Sequence, residues 1–233
     1  MAGRIPQGND EGGMRPSAIR NSQSEIPEWL WQTVVWGFGA LTIGVGALVI
    51  AVAAGVADPR PVGTLRWEEH FADAGAKWET FGKGVSFAED GLTITLAQAN
   101  EIGGAVAVPE AADFSFEVAG GQLSGDIGAA YGIVFEYRDA SHYSAVLING
   151  NSYAQVFSTD GREWMAWQQW PNILLGYEAN RIRIDVTNGE GLIRINDEVL
   201  LRAPVGAGGV GVIARASAND QRVRFGWAKL WGK

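Results

Sequence analysis

The chain has 233 residues, of which 26 are acidic and 18 basic, giving a formal net charge of −8. An acidic chain lacks the Lys and Arg clusters that neutralise phosphates, so we exclude nucleic acid as a partner. The absence of cysteine excludes disulfide bonds, thiolate zinc sites and covalently attached haem. Only His70 and His142 could offer imidazole, so we expect no metal site of that kind and no cofactor.

Residues 1–27 form a polar tail rich in Gly, Ser, Asn and Gln, which we expect to be disordered on its own. The next 29 residues, from Trp29 to Ala57, contain no charged side chain. A helix over them would be roughly 43 Å long, enough to cross a hydrocarbon core about 30 Å thick. Three tryptophans near its start are typical of a membrane interface. We predict a transmembrane helix over residues 28–57.

A cleaved signal peptide is the alternative to a permanent anchor. Its apolar core would be only about 7–15 residues long and would follow a short basic segment, whereas here a long polar tail comes first. Basic residues indicate the orientation by a small margin, with three arginines before the helix against Arg60 and Arg66 just after it. We expect a single-pass protein with a cytoplasmic N-terminus and an extracytoplasmic C-terminal domain.

Small residues recur along the helix at intervals of three and four, which places them on one stripe. They are Gly37, Ala40, Gly44, Ala47, Ala51 and Gly55. In lipid, such a stripe permits the close approach of another helix and predicts packing against other membrane protein subunits. The alternative is that any helix this rich in Gly and Ala has such a stripe.

The remainder of the chain is predicted to be all-β, with a Pro-rich linker over 58–64 and one domain over 65–233. Apolar and polar residues alternate with the period of strands in four segments, namely 92–96, 114–118, 133–137 and 182–186. Turn signals such as Asp160-Gly161 and Asn188-Gly189 separate the strands. Short strands with turns every 8–12 residues are typical of a two-sheet antiparallel sandwich.

The order of motifs also resembles a known family. The chain runs from Trp67-Glu-Glu-His-Phe-Ala-Asp73 through Tyr131-Gly-Ile-Val-Phe-Glu-Tyr137 to Leu192-Ile-Arg-Ile-Asn196 and closes with Gly208-Gly-Val-Gly-Val-Ile213. This resembles the laminin-G-like, concanavalin A-like jelly rolls of bacterial extracytoplasmic proteins, including the 3-keto-disaccharide hydrolase-related group. The resemblance implies two curved antiparallel sheets, and it implies a bacterial inner (cell) membrane for the anchored form.

Two motifs that could indicate catalysis do not have the required context. Jelly rolls that cleave glycans use alternating carboxylates of the form E-x-D-x-E, and no such string occurs in this sequence. The segment Gly206-Ala-Gly-Gly-Val-Gly211 matches G-x-G-x-x-G, but a strand-like run follows it where a nucleotide site requires a helix. We therefore expect no catalytic residues, and read the glycines as a turn between strands.

The candidate contact residues are aromatic. Trp164, Trp167 and Trp170 follow Tyr153, and a strand here would place Trp164 and Trp170 on one face and Trp167 on the other. One face would be core, while the other could contact a partner protein or stack on a sugar. Trp227 and Trp231 of the last strand are expected in the core. A structural calcium ion at acidic loops such as Asp126 or Asp139 is a minor alternative, without diagnostic ligand spacing.

Three functions follow from these features. The first is a non-catalytic, single-pass accessory subunit of a larger bacterial membrane complex, whose jelly roll contacts neighbouring proteins outside the membrane. The alternative is a membrane-tethered, lectin-like glycan-binding module with Trp164 or Trp170 as the stacking platform. A sugar-processing enzyme is the third hypothesis, suggested by the family resemblance alone.

Overall fold

The computed structural model describes residues 27–53, 59–72, 77–109 and 111–233. Residues 1–57 and 58–233 form two separate units. The tail predicted over residues 1–27 lies outside the described residues except for Pro27. The last four residues of the predicted transmembrane segment, including Gly55, also lie outside them.

The first unit contains the helix α1 (Glu28–Ala53), which is 26 residues long. Pro27 lies just before it and its carbonyl accepts the first-turn N–H of Leu30 at 2.8 Å, as suits a proline at a helix start. The apolar side chains of α1 are exposed. By length and composition Glu28–Val52 is sufficient to cross a membrane, although a signal sequence near an N-terminus has the same properties.

The described residues of the second unit form fifteen strands. In chain order these are β1 (Thr64–Glu69), β2 (Glu79–Gly82), β3 (Val85–Ala88), β4 (Gly91–Leu96), β5 (Ile102–Ala107), β6 (Phe114–Ser124), β7 (Ala130–Asp139), β8 (His142–Ile148), β9 (Tyr153–Ser158), β10 (Glu163–Gln169), β11 (Asn180–Thr187), β12 (Glu190–Ile195), β13 (Glu198–Pro204), β14 (Gly209–Arg215) and β15 (Gln221–Gly232).

These strands build two antiparallel sheets that pack face to face. The eight-stranded sheet has the order β13-β12-β11-β6-β15-β4-β3, with β1 also paired to β15. The seven-stranded sheet has the order β10-β9-β8-β7-β14-β5-β2. The predicted all-β, two-sheet sandwich preceded by one apolar helix is therefore confirmed.

The core lies between the sheets and is made by alternate residues of each strand. Ile182, Ile184 and Val186 of β11 contribute from the eight-stranded sheet, and Val146 and Ile148 of β8 from the other. All four segments in which the sequence alternates are strands. A two-residue turn joins β11 to β12, where Asn188 and Gly189 have φ of 53° and 74°. Asn and Gly tolerate these positive values, so they set the register of the hairpin.

The linker from Pro59 to Gly63 is hydrogen-bonded to the eight-stranded sheet. The Val62 N–H donates to Ser115 Oγ at 2.6 Å, and the Pro59 carbonyl accepts from the Arg183 guanidinium at 2.8 Å. The first strand begins at Thr64, one residue before the predicted start of the domain. The described part of the linker is therefore attached to the domain along its length.

Candidate functional site

The outer face of the seven-stranded sheet carries a second apolar cluster. Along β8, Tyr143, Ala145 and Leu147 point away from the core because side chains alternate between the faces of a strand. Ala145 and Leu147 are nevertheless 0% and 1% exposed. Side chains on an outer face can be this well covered only when their neighbours on the same sheet lean over them.

Aromatic rings provide much of this cover. Phe81 of β2 and Tyr137 of β7 have ring centroids 5.0 Å apart, and Tyr143 lies 6.1 Å from Phe81. Because β14 and β5 lie between β7 and β2, a flat sheet would separate the two strands by about 14 Å. The Phe81 ring covers Gly104, where an added Cβ would come within 2.3 Å of it. Because Gly104 has no side chain, the Phe81 ring can pack directly against the sheet at that position.

Arg215 and Trp167 show that this face is concave. They belong to β14 and β10, which are four strand spacings, or about 19 Å, apart in the sheet order. The guanidinium carbon of Arg215 nevertheless lies 5.9 Å from the centre of the Trp167 ring. The sheet must curve to bring these side chains together, and we call this surface the concave face.

A cavity of about 490 Å³ opens at the end of the concave face where β14 ends and the β8–β9 turn lies. Its described lining combines two aromatic rings, three carboxamides, two hydroxyls and one guanidinium, and contains no carboxylate. The lining residues are Asn100, Gly128, Ala130, Asn149, Asn151, Tyr153, Trp167, Arg215, Ala216 and Ser217. Flat apolar surfaces beside several hydrogen-bonding groups match the two sides of a sugar ring.

The turn residues of the cavity are held in place by the strands that they join. Asn149 accepts the N–H groups of Asn151 and Tyr153 through its side-chain oxygen, each at 3.1 Å. The Asn149 side-chain amide nitrogen has no partner among the described residues, and the Asn151 side chain is exposed. Both residues therefore offer donors toward the cavity while their backbone remains fixed.

The structure divides the predicted aromatic cluster into two groups. Trp167 and Tyr153 line the cavity, and Tyr153 is 41% exposed. Trp164 and Trp170 instead pack against the core between the sheets, where the ring centroids of Trp164 and Phe135 are 6.2 Å apart. The predicted division of the three rings between two faces is correct, although two register shifts interrupt the alternation along β10. The choice of Trp164 or Trp170 as the stacking platform is not supported, because those rings pack against the core. Trp167 and Tyr153 are the aromatic residues of this cluster that are available for stacking in the cavity.

Burial of the tyrosines on the concave face changes their acidity. The pKa of Tyr143 is raised above its usual value by burial, an effect that the nearby Arg215 charge opposes. The pKa of Tyr137 is also raised, by burial first and then by Glu79 and Asp139. Both hydroxyls are therefore protonated at neutral pH and able to donate hydrogen bonds.

The outer face of the eight-stranded sheet holds a network of ion pairs. Arg183 Nε lies 3.2 Å from Asp185 Oδ1, and Arg183 Nη1 lies 3.9 Å from Glu117 Oε2. All three side chains are less than 10% exposed. Arg194 contacts the second oxygen of Asp185 at 3.3 Å. Ser115 donates to Asp185 at 2.5 Å. Burial raises the pKa of Glu117, and the charges of Arg183 and Arg181 oppose this increase.

The glycine-rich motif and the acidic loops have structural roles. Strand β14 begins at Gly209, inside the G-x-G-x-x-G match, and no helix follows it. The Gly206 N–H donates to the carboxylate of Glu136, which also accepts from Ser144 at 2.5 Å and Arg162 at 3.2 Å. Among the described residues the glycines therefore form a turn between β13 and β14, as the sequence predicts.

The acidic loops that the sequence suggests for a calcium ion do not come together in the described part of the chain. Asp126 lies in the loop before β7 and Asp139 at the far end of that strand, so one ion cannot bind both. Asp126 accepts from the Gly128 N–H at 3.0 Å and Ser217 at 2.9 Å, and Asp139 accepts from His142 at 2.9 Å. Within the described ranges no three His, Asp or Glu side chains group around a common point.

The structure also locates the remaining predicted residues. Gly37 and Gly44 of α1 have open space around them within the described residues, as do Gly39 and Gly46, which lie outside the predicted stripe. The sequence predicts Trp227 and Trp231 in the core, and this prediction is wrong. They lie on the outer face of the eight-stranded sheet, and the ammonium of Lys229 lies 4.9 Å from the Trp227 ring centre.

Sequence reasoning missed the polar residues of the cavity, among them Asn149, Asn151 and Arg215. Arg215 is the one charged residue of β14, at a position that alternation assigns to the outer face. That pattern could have indicated it. Asn149 and Asn151 belong to an Asn-Gly-Asn segment of the kind that forms turns, and nothing in their spacing indicates a cavity, because the cavity arises from the curvature of the sheet.

No protein-family model matches this sequence, and no curated protein is significantly similar to it. Solved structures do match. The VIP36 exoplasmic/lumenal domain in its Ca2+/Man-bound form has a TM-score of 0.55 at 10% identity, covering 72% of this chain and 91% of that chain. The Apo Crh5 transglycosylase has a TM-score of 0.52 at 12% identity, covering 75% and 88%. A functionally unknown protein from Saccharomyces cerevisiae has a TM-score of 0.53 at 15% identity, covering 68% and 97%.

At these identities the similarity shows the fold alone. It confirms the part of the family resemblance that concerns architecture. The C-terminal unit of this chain therefore has the two-sheet, antiparallel jelly-roll sandwich fold that these structures share.

Proposed function

We propose that this protein is a membrane-tethered glycan-binding module. The observation that carries the proposal is the cavity on the concave face, where Trp167 and Tyr153 lie beside Asn149, Asn151 and Arg215. A sugar ring has C–H faces that stack on aromatic rings and hydroxyl groups that bond to amides and guanidinium groups. A cavity of about 490 Å³ accommodates one or two such rings.

The fold of the neighbours supports the same class of ligand. VIP36 is matched in a Ca2+/Man-bound form, and Crh5 is a transglycosylase, so proteins with this architecture include both sugar binders and sugar-processing enzymes. The finer resemblance to laminin-G-like and 3-keto-disaccharide hydrolase-related domains belongs to this proposal as well. It adds an extracytoplasmic setting in which glycans are abundant.

Binding without turnover is the mode of action that the lining favours. Hydrolysis of a glycosidic bond uses a pair of carboxyl groups on either side of the bond. The described residues lining the cavity provide no carboxylate. We therefore propose that the module is not an enzyme, and a hydrolytic screen in which the purified protein turns over any glycan would contradict this.

The helix α1 would act as the tether. Its length and the uncharged side chains that follow Glu28 suit a bilayer span. We propose that it remains with the mature chain, with the N-terminus in the cytoplasm and the sandwich outside the bacterial inner membrane. Membrane fractionation with protease protection of the C-terminal unit tests this topology. Recovery of a soluble chain that begins after residue 57 would contradict it.

A glycan array probed with the full-length protein in detergent tests the binding proposal. Trp167→Ala should abolish binding to whichever glycan the wild type binds, because the stacking surface is lost. The matched control is Trp227→Ala, which removes a partly exposed tryptophan from the outer face of the other sheet. Equal binding by the Trp167→Ala variant and the wild type would refute this site.

A second candidate function rests on α1. The stripe of Gly37, Ala40, Gly44, Ala47 and Ala51 has no partner among the described residues, and it suits docking to another membrane subunit. On this hypothesis the chain is also an accessory subunit of a membrane complex, with the sandwich contacting neighbouring proteins.

Native purification tests the second function. Gly44→Leu together with Ala47→Leu should remove co-purifying subunits from the preparation, because two bulky side chains prevent close helix packing. The control is Gly39→Leu together with Gly46→Leu, at glycines with equally open surroundings outside the stripe. Loss of the same subunits from both variants, or from neither, would argue against docking through the stripe.

A further inference from the structure

Arg215 is the one charged side chain among the described residues that line the cavity. This is notable in a chain whose net charge is −8 and whose acidic residues outnumber the basic ones. The other lining groups are neutral: three asparagines, Ser217, Tyr153 and Trp167. Arg215 is therefore the positively charged group of the cavity lining and can attract an anion, although the Asp126 carboxylate is hydrogen-bonded to the lining residues Gly128 and Ser217.

The guanidinium of Arg215 is partly buried and has no carboxylate partner within the described ranges. The other partly buried arginines do have one: Arg194 pairs with Asp185 and Arg224 with Asp90, and the buried Arg183 also pairs with Asp185. Burial lowers the pKa of Arg215, and the nearby Tyr143 hydroxyl opposes this effect. An arginine stays protonated even so, and the cost of its lost hydration is not offset by any described anion.

The position of Arg215 leaves its donors available. The guanidinium carbon lies 5.9 Å from the Trp167 ring centre, within the range of a cation–π contact. This contact restricts the guanidinium without using its N–H groups, and none of the described residues accepts a hydrogen bond from them. A planar fork of N–H donors held in this way matches the two oxygens of a carboxylate.

We infer that the glycan bound in this cavity is acidic and that a carboxylate on its sugar ring pairs with Arg215. The inference rests on the proposed glycan-binding function and specifies its ligand class as uronate-containing glycans. The ring stacks on Trp167, its carboxylate bonds to Arg215, and its hydroxyls bond to the side chains of Asn149 and Asn151. No described residue supplies a carboxylate to this arginine, and on this inference the ligand does so.

Matched pairs of polymers test the inference on the full-length protein in detergent. The probes are polygalacturonate, alginate and hyaluronan, each beside its methyl ester, in which the carboxylate is neutral and the ring unchanged. The wild type should bind the acid form of at least one pair about tenfold to a hundredfold more tightly than the ester, since charge-assisted hydrogen bonds are the strong ones. Dextran sulfate beside dextran tests whether any anion suffices.

Variants separate the role of the arginine from that of the site. Arg215→Gln should bind acid and ester forms equally, at the affinity of the wild type for the ester, whereas Trp167→Ala should bind neither. Arg215→Lys should recover part of the preference, because a lysine keeps the charge but not the fork. The control is Arg222→Gln, an exposed arginine on β15. Unchanged near-ultraviolet circular dichroism verifies the fold of each variant.

Salt dependence gives an independent measurement. Affinity of the wild type for the acid form should fall as salt rises from about 50 mM to 500 mM, while its affinity for the ester changes little. Arg215→Gln should remove that dependence. Equal wild-type affinity for acid and ester forms overturns the inference and leaves glycan binding intact. If the wild type prefers dextran sulfate to dextran as strongly as it prefers the acid form to the ester, the site binds anions in general and the assignment to uronates is overturned. If the wild type binds none of the polymers, the proposed glycan-binding function itself is contradicted.

Discussion

The two outer faces of the sandwich differ in whether their buried charged side chains have partners of opposite charge. On the eight-stranded sheet the buried charges are paired, and the carboxylates of Glu117 and Asp185 lie beside Arg183. On the seven-stranded sheet the buried surface is aromatic, and the partly buried cation Arg215 has no described anion. Both faces cover polar groups from water, but only the first supplies their partners from within the chain.

The difference indicates which face is structural and which receives a ligand. A buried charge is tolerated when it is paired and hydrogen-bonded, which is the arrangement beneath the linker. A partly buried charge without a partner costs stability, and proteins retain such groups chiefly at functional sites. The linker closes the first face through its bonds to Ser115 and Arg183, while the cavity on the second face is open.

The largest expected effect comes from breaking the paired face at its centre. Arg183→Ala leaves the carboxylates of Asp185 and Glu117 buried beside fewer cations and removes the donor to Pro59. We expect the free energy of unfolding to fall by about 3 kcal/mol, the scale seen when one partner of a buried ion pair is removed. Urea unfolding of the full-length protein in detergent, followed by tryptophan fluorescence, measures the loss.

The control for Arg183→Ala is Arg202→Ala on the same face. Arg202 pairs with Glu190 at 2.9 Å, but both side chains are more than half exposed. Its removal should lower the free energy of unfolding by less than about 1 kcal/mol. Equal effects of the two substitutions would mean that burial of the network contributes nothing, and the contrast between the faces would not hold.

The next effect separates the two tryptophans that the sequence predicts on opposite faces of β10. Trp164→Ala removes a ring that packs against Phe135 and the core, and we expect a loss of about 2–3 kcal/mol. Trp167→Ala removes a ring of the concave face, with a smaller expected loss of about 1 kcal/mol. Thermal and urea unfolding of both variants measure the two losses. A larger loss for Trp167→Ala than for Trp164→Ala would contradict the assignment of Trp164 to the core.

The fold was predictable because each strand carries its own pattern. Alternation in segments such as Ile182–Val186 and turn residues such as Asn188-Gly189 act over a few residues, so they can be read without tertiary information. The number of strands and their order in the sheets were not predicted. Pairing of β6 with β15, for example, depends on contacts between residues about a hundred positions apart.

The site was only partly predictable. Tyr153 and Trp167 were found from aromatic spacing on one segment, but alternation alone does not say which face of a strand is core. The ion-pair network was missed, because Arg183 and Asp185 alternate with apolar residues as any solvated outer face would. Their burial results from the linker, which crosses this face and which no local pattern predicts.

A smaller effect tests the attachment of the linker. Ser115→Ala removes the acceptor for the Val62 N–H and a donor to Asp185. We expect a loss of about 1–2 kcal/mol in the free energy of unfolding and faster hydrogen exchange at the Val62 amide. Ser86→Ala is the control, since that exposed hydroxyl bonds only to the Thr93 carbonyl at 3.2 Å. Unchanged exchange at Val62 would show that the linker is held by other contacts.

The smallest effect is a difference in pH dependence between a buried and an exposed carboxyl group. Burial raises the pKa of Glu117, so its stabilising contribution is present below the unfolded-state pKa, near 4.5, and is lost as pH rises through the folded-state value. The free energy of unfolding of the wild type minus that of Glu117→Gln should therefore decrease as pH rises from about 4 to 7.

Asp113 should give the opposite slope. The Asn188 N–H and the Lys233 ammonium lower its pKa, so its contribution is present above the unfolded-state pKa, near 3.8, and is lost as pH falls through the folded-state value. The free energy of unfolding of the wild type minus that of Asp113→Asn should accordingly increase with pH over the acid range. Parallel slopes for Glu117 and Asp113 would mean that the Glu117 carboxyl is hydrated, and that the eight-stranded face is no more closed to water than the concave face.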